Sequence, residues 1–210
     1  MWRLAGTEPD FVAAINDLNA TWIRAAERLS PRVLTDLYAM AAADLADLFE
    51  RSSLDAPASI PVSWAGETES AAWLDIGREF TEVWHHGAQI RDAVRAGPFA
   101  EPRWLRAVLA IAVHALPHAY RHVPAPPGSS LAVEIAGPSG GSWVLQRRGD
   151  RWEIDEGEVA AATATVRLSD DVAWRLFFNA VPLSAAGRLV RVEGDAALAL
   201  PLLQARSVIV

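Results

Sequence analysis

The stretch PAPPGSSLAVEIAGPSGGSWVLQRRGDRWEI, residues 124–154, marks where the chain changes character. Pro124-Ala125-Pro126-Pro127-Gly128 has the composition of a linker, since proline removes backbone donors and stiffens the chain. Beyond it, Leu131 to Ile135 alternates as a strand does. Ser142 to Arg147 and Arg151 to Ile154 flank Gly149-Asp150, a pair suited to a two-residue hairpin turn. The three glycines between Gly137 and Gly141 join two strands and open no helix. They read as a turn and not as a phosphate cradle. Ala164 to Leu168 alternates again. Ser169-Asp170-Asp171 then resembles a helix cap before Val172, Trp174, Leu176 and Phe177. Leu189 to Glu193 predicts a further strand, and Gly194-Asp195 leads into a last helix over Ala196 to Gln204. Residues 129–210 therefore read as a small α+β domain.

Upstream, residues 1–123 read as helices. Glu8-Pro9-Asp10 opens a segment whose Phe11, Ile15, Leu18, Trp22 and Leu29 keep helical spacing. Ser30-Pro31 restarts the chain with an N-cap residue and a first-turn proline. The second helix carries Val33, Leu37, Met40, Ala41, Leu45, Leu48 and Phe49. Ser52 to Gly66 is loop-like. A third helix runs from about Ala71 to Ala96. Its Trp73, Ile76, Phe80, Val83, Gly87, Ile90 and Val94 form the three–four repeat of a bundle helix. Gly97-Pro98 ends it. A fourth runs from about Pro102 to Tyr120, disturbed near Pro117. The fold class is thus an α bundle followed by an α+β domain, with domains at 1–123 and 129–210.

Composition narrows the chemistry. The 210 residues are 51% hydrophobic and 21% charged, as in a globular chain. The net charge is −7, from 26 acidic against 19 basic residues, and no basic patch tracks phosphates, so nucleic acid is not an expected partner. No apolar run reaches the about 18–20 residues of a membrane span. The N-terminus lacks a signal-peptide pattern, which makes the cytoplasm the expected compartment. With no cysteine, a disulfide, a Cys-ligated zinc and a cysteine nucleophile are excluded. All basic residues are arginine, which excludes Schiff-base chemistry at a lysine of this chain and reads as the codon bias of a GC-rich genome. No Gly-x-Ser-x-Gly elbow occurs.

The densest polar constellation is Glu79-Phe80-Thr81-Glu82-Val83-Trp84-His85-His86. At about 100° per residue, Glu79, Glu82 and His86 share a stripe about 60° wide beside the apolar repeat. His85 lies about 100° away, so the spacing prefers His86 as the inward-reaching residue. Glu82 and His86, at i and i+4, are near enough to hold one divalent cation or to pair with each other. His114, His118 and His122 fall opposite the apolar positions of the fourth helix and read as a solvated basic face. Trp22 and Trp73 sit in helical stripes as core residues, and Trp143 and Trp152 are placed to pair across the hairpin. Trp84 reads as core, with a pocket wall as the other option.

Arg78 to Ala93 as a whole resembles the third-helix motif of the mycothiol-dependent maleylpyruvate isomerase family, one of the DinB-like metal-binding bundles. The matching positions are Glu82, His86, Gln89 and Ile90. Arg191-Val192-Glu193-Gly194-Asp195 resembles the sterol-carrier-like α+β domain that follows the bundle there. The resemblance implies a divalent metal, zinc most of all, on Glu82 and His86, with mycothiol, the small thiol of actinobacteria, as co-substrate. It implies an isomerase or S-transferase acting on a small organic acid, its thiolate supplied by a small molecule because this chain has no cysteine. The family's third ligand, a histidine from an earlier helix, has no counterpart, since no histidine precedes His85. The sequence thus reads as a bundle whose first helix is missing or truncated, with Met1 to Gly6 as its last turn and residues such as Phe11 or Trp73 uncovered. Arg188 and Arg191 are the candidates for a substrate carboxylate. Two other expectations stand beside the enzyme: a non-catalytic binding protein with an incomplete metal site, and a carrier of apolar molecules using Trp174, Phe177 and Phe178, whose alternative role is core packing.

Overall fold

The computed structural model describes residues 8–97, 99 and 101–207. The expectations for Met1 to Gly6, for Pro98 as a helix stop and for the Phe11 side chain fall outside what is described. The chain divides by packing into two units, at Ala56 and Pro57. The sequence pattern instead places its boundary at the proline-rich linker.

The first unit holds α1 (Glu8–Ala26) and α2 (Pro31–Arg51). Ser30 caps α2, its hydroxyl accepting from Val33 N at 3.3 Å, and Pro31 fills the first turn. No residue of α2 is buried. Trp22 is 69% exposed, so it is not the core residue its spacing predicts. Helical periodicity identifies an apolar face but not whether anything covers it.

The second unit begins with a 3-10 turn, Ser63–Ala65, and α3 (Ala72–Val94). The expected fourth helix is two: α4 (Pro102–Ala112) and α5 (Ala115–Ala119). The break falls one turn ahead of Pro117, because its ring crowds the carbonyl of residue 113 and it has no N–H to give.

Five strands follow: β1 (Ser130–Ala136), β2 (Gly141–Arg148), β3 (Arg151–Glu156), β4 (Ala164–Ser169) and β5 (Arg191–Gly194). Their order is β3-β2-β1-β4-β5, with β1 and β4 parallel and the other pairs antiparallel. Two short helices, α6 (Asp170–Phe177) and α7 (Leu183–Ala186), lie between β4 and β5, and α8 (Ala196–Ala199) follows β5. The β2–β3 turn is Gly149-Asp150 as expected, with Gly149 at φ 63°. The hairpin register pairs Trp152 with Arg147 and Trp143 with Glu156, so the two tryptophans do not face each other. Both are buried in the core independently.

The register aligns Val133 with Trp143 and Val166, Leu131 with Leu145, and Ile135 with Leu168, all buried on the sheet. Helices α4 and α5 share this core: Val108, Leu109, Leu116 and Tyr120 belong to the same cluster as the strands. Each such fully buried aliphatic side chain stabilises the fold by about 1.5–3 kcal/mol. Polar ties reinforce the junction. Tyr120 Oη donates to Leu198 O at 2.8 Å, Ser207 Oγ to Ala112 O at 2.7 Å, and Arg106 to Gly140 O and the Glu156 carboxylate. Trp174, Phe177 and Phe178 are 5%, 1% and 3% exposed and pack in this core.

On α3 the buried stripe is Leu74, Gly77, Thr81, Trp84, His85 and Ala88. It is centred roughly 120° around the helix from the three–four repeat. Trp73, Val83, Ile90 and Val94 of that repeat are exposed. The face that packs is set by small residues that let α4 approach: a Cβ on Gly77 would meet Ile111 Cδ1 at 3.1 Å. The second unit is mixed α/β, its helices packed with the five-stranded sheet.

Candidate functional site

Glu82, His85 and His86 present one ligand atom each, all within 4.8 Å of one another. The cluster combines the expected Glu82 and His86 with a residue that the sequence placed elsewhere. Rotating the buried stripe of α3 turns His85 inward, to 6% exposure, while the His86 side chain is 66% exposed. The preference for His86 as the inward residue is therefore corrected. Glu79, the third member of the expected stripe, is taken by Arg78, which donates to its Oε1 at 2.9 Å and pairs with Asp75 at 2.6 Å.

His86 Nε2 lies 3.4 Å from Glu82 Oε2. Tetrahedral zinc with bonds of about 2.0–2.1 Å separates its ligand atoms by roughly 3.3 Å. The pair is thus spaced as two ligands of one ion. Burial pushes the Glu82 carboxyl above its ordinary range, opposed by nearby His86 and Arg78. A carboxylate losing hydration gains most from a cation.

Neither ring nitrogen of His85 has a hydrogen-bond partner. The ring sits 4.8 Å from Phe178 and stacks on His86 at 5.2 Å, centroid to centroid. Burial, and then His86, hold its pKa below the usual imidazole value, so the ring is neutral with a lone pair available. Buried imidazole nitrogens normally find a partner. An orphaned neutral histidine beside a carboxylate and a second imidazole fits a divalent ion in its donor set. Sequence reasoning missed His85; the signal that finds it is the Leu74–Trp84–Ala88 stripe.

The other expected groups lie apart from this cluster. His114 is half-buried, its ring 5.2 Å edge-on from Trp73, and burial lowers its pKa. His118 packs over Gly66, where a Cβ would meet its Nδ1 at 2.1 Å. Only His122 of the three is exposed, so the solvated basic face is corrected: the α4–α5 break swings two of them onto protein. Arg188 is exposed and Arg191 pairs with Glu193 at 3.3 Å on β5.

A cavity of about 410 Å3 opens between α3, α4, the β1–β2 turn and α6. Trp84 and Trp174 line it, while Glu82, His85, His86, Arg188 and Arg191 do not. Trp84 is 8% exposed and is both core and pocket wall.

No protein-family model matches this sequence, and no curated protein matches it. Solved structures of sterol carrier proteins are similar in fold to its C-terminal part. Sterol carrier protein 2 like 2 from Aedes aegypti is 17% identical with a TM-score of 0.41, covering 50% of this chain and 98% of that one. The sterol carrier protein domain 2 of Helicoverpa armigera is 14% identical with a TM-score of 0.36, covering 51% and 91%. The ubiquinone synthesis protein UbiJ-SCP2 is 24% identical with a TM-score of 0.32, covering 43% and 76%. Among the described residues, no helix is long and apolar enough to cross a membrane.

Proposed function

We propose that the chain is a divalent-metal-dependent enzyme of the isomerase or S-transferase type, using a small external thiol such as mycothiol on a small organic acid. The observation that carries the metal is His85: a buried imidazole, both nitrogens without partners, within reach of Glu82 and His86. The thiol and the reaction class rest on the resemblance of Arg78 to Ala93 to the mycothiol-dependent isomerases.

A bound zinc ion supplies a lowered thiol pKa, and so a thiolate at neutral pH. The chain's own residues do the rest. Glu82 contributes the single carboxylate, which keeps the site net positive when loaded. Gln89 Oε1 accepts from His86 Nδ1 at 2.9 Å and so turns Nε2 toward Glu82. His85 offers a nitrogen from the protein side, its ring packed against Phe178.

The test is turnover of maleylpyruvate, and conjugation of mycothiol to monochlorobimane, by zinc-loaded protein. Both rates are expected to fall at least tenfold in Glu82→Gln and on chelation. Rates indifferent to both treatments contradict the enzyme. A second reading, a non-catalytic binding protein on the same scaffold, is favoured by one observation: all three ligand side chains come from one helix. It expects Glu82→Ala and His86→Ala to leave stability within about 0.5 kcal/mol of the parent.

A further inference from the structure

We propose that α2 is an interface between two copies of this chain, pairing antiparallel with α2 of a second copy about a two-fold axis at Ala41. Leu34, Leu37, Ala41, Leu45 and Leu48 share a stripe of α2 about 80° wide, at about 100° per residue. The stripe reads the same in both directions: leucines stand four and seven residues to either side of Ala41. An antiparallel copy therefore sets Leu34 against Leu48 and Leu37 against Leu45. Each contact is made twice, as an isologous interface requires. Alanine meets alanine at the centre, where a small side chain lets the two backbones approach.

The stripe is uncovered. Leu34, Leu37 and Leu48 are 40%, 45% and 55% exposed, and no described side chain of the first unit is buried. Helices of 19 and 21 residues owe most of their stability in water to a packed apolar face. A unit this small without a core needs a disulfide, a metal or a partner chain. The chain has no cysteine, and no histidine precedes His85. Nine large apolar residues of α1 and α2 are 40–69% exposed. At roughly 100 Å2 on each, they match the about 800 Å2 a side that a stable dimer buries.

Charge selects the occupant and its direction. Every charged residue of α2 stands about 60° or more from the centre of the stripe. Asp36, Asp44, Asp47 and Glu50 outnumber Arg32 and Arg51 there. An acidic rim repels both a phosphate backbone and an anionic lipid surface. Asp44, Asp47 and Glu50 all lie in the C-terminal half of α2. A parallel copy would bring the two acidic clusters together, whereas an antiparallel copy sets them at opposite ends and opposes the helix dipoles. Any stripe can face itself in parallel. Only one symmetric about its midpoint also sets leucine on leucine in the antiparallel sense, and a second copy is the partner that shares this symmetry.

Sedimentation velocity of the full chain at micromolar concentration tests this, with a chelator present so that the exposed His86 cannot bridge copies through a metal. A species near twice the 22.7 kDa of one chain is expected. Ala41→Glu puts two carboxylates on the axis and should weaken the dimer at least tenfold. Because the chain has no cysteine, single cysteines report the register. On oxidation, Ala41→Cys should link to a second copy of itself. Leu34→Cys should not, since antiparallel pairing holds its two copies about 21 Å apart, but it should link to Leu48→Cys in a mixture. If Ala41→Glu does not fold, the cysteine variants decide. A monomer, a dimer indifferent to Ala41→Glu, or Leu34→Cys linking to itself as readily as Ala41→Cys would overturn the proposal.

Discussion

Gln89 Oε1 accepts from His86 Nδ1 at 2.9 Å, one helical turn beyond the point where His86 Nε2 faces Glu82 at 3.4 Å. The bond selects the tautomer whose lone pair points at the carboxylate side. In the proposed metal site Gln89 is thus a positioning residue. Gln89→Leu should keep the fold, since the pair is exposed, and weaken zinc affinity by about 10–100-fold. Calorimetric titration of the variant checks this, and affinity equal to the parent's would remove Gln89 from the site.

His114 gives a pH signature that does not depend on the metal cluster. Burial holds its folded-state pKa below the unfolded value, with Glu67 partly opposing. The unfolded chain therefore takes up the proton first. Its contribution is flat above the ordinary imidazole range. Stability is lost as pH falls from there through the folded value. In thermal melts between pH 7.5 and 5.5, the parent should lose more stability than His114→Phe. Parallel curves would show that His114 titrates alike in both states.

Tyr120 joins α5 to α8 from a fully buried position, and burial raises its phenol pKa well above the usual value. Tyr120→Phe keeps the ring against Trp152 but takes the phenol O–H away from Leu198 O, its nearer acceptor. The expected cost is about 1–3 kcal/mol, a few degrees in melting temperature. A change under about 0.5 kcal/mol would mean that α5 and α8 are not held together by this bond.

The α+β half was readable because local chemistry decides it. Gly149-Asp150 makes the hairpin turn, and Ser169 caps α6, its Oγ accepting from Val172 N at 3.2 Å. Asp195 caps α8 in the same way. Partnership was not local. Val133 pairs with Val166 across 33 residues in a parallel register that neither strand announces. On α3 two stripes compete, and Trp73, Val83, Ile90 and Val94 of the longer one stay exposed while Trp84 and Ala88 pack. That choice depends on what α4 brings, and it decides whether His85 or His86 is buried. Glu82 lies at i−4 from His86 whichever stripe is buried, so their approach to 3.4 Å follows from spacing alone. His114 and His118 were misread because the turn that Pro117 forces breaks the wheel on which they were projected.

Zinc content of the purified full chain, equilibrated with zinc and desalted, tests the central claim most directly. One zinc per chain in the parent is predicted, with less than a tenth of that in Glu82→Gln and in His86→Ala, and a clear loss in His85→Phe, which keeps a ring against Phe178. No zinc in the parent, or equal zinc in the parent and both ligand variants, would contradict a metal site on α3.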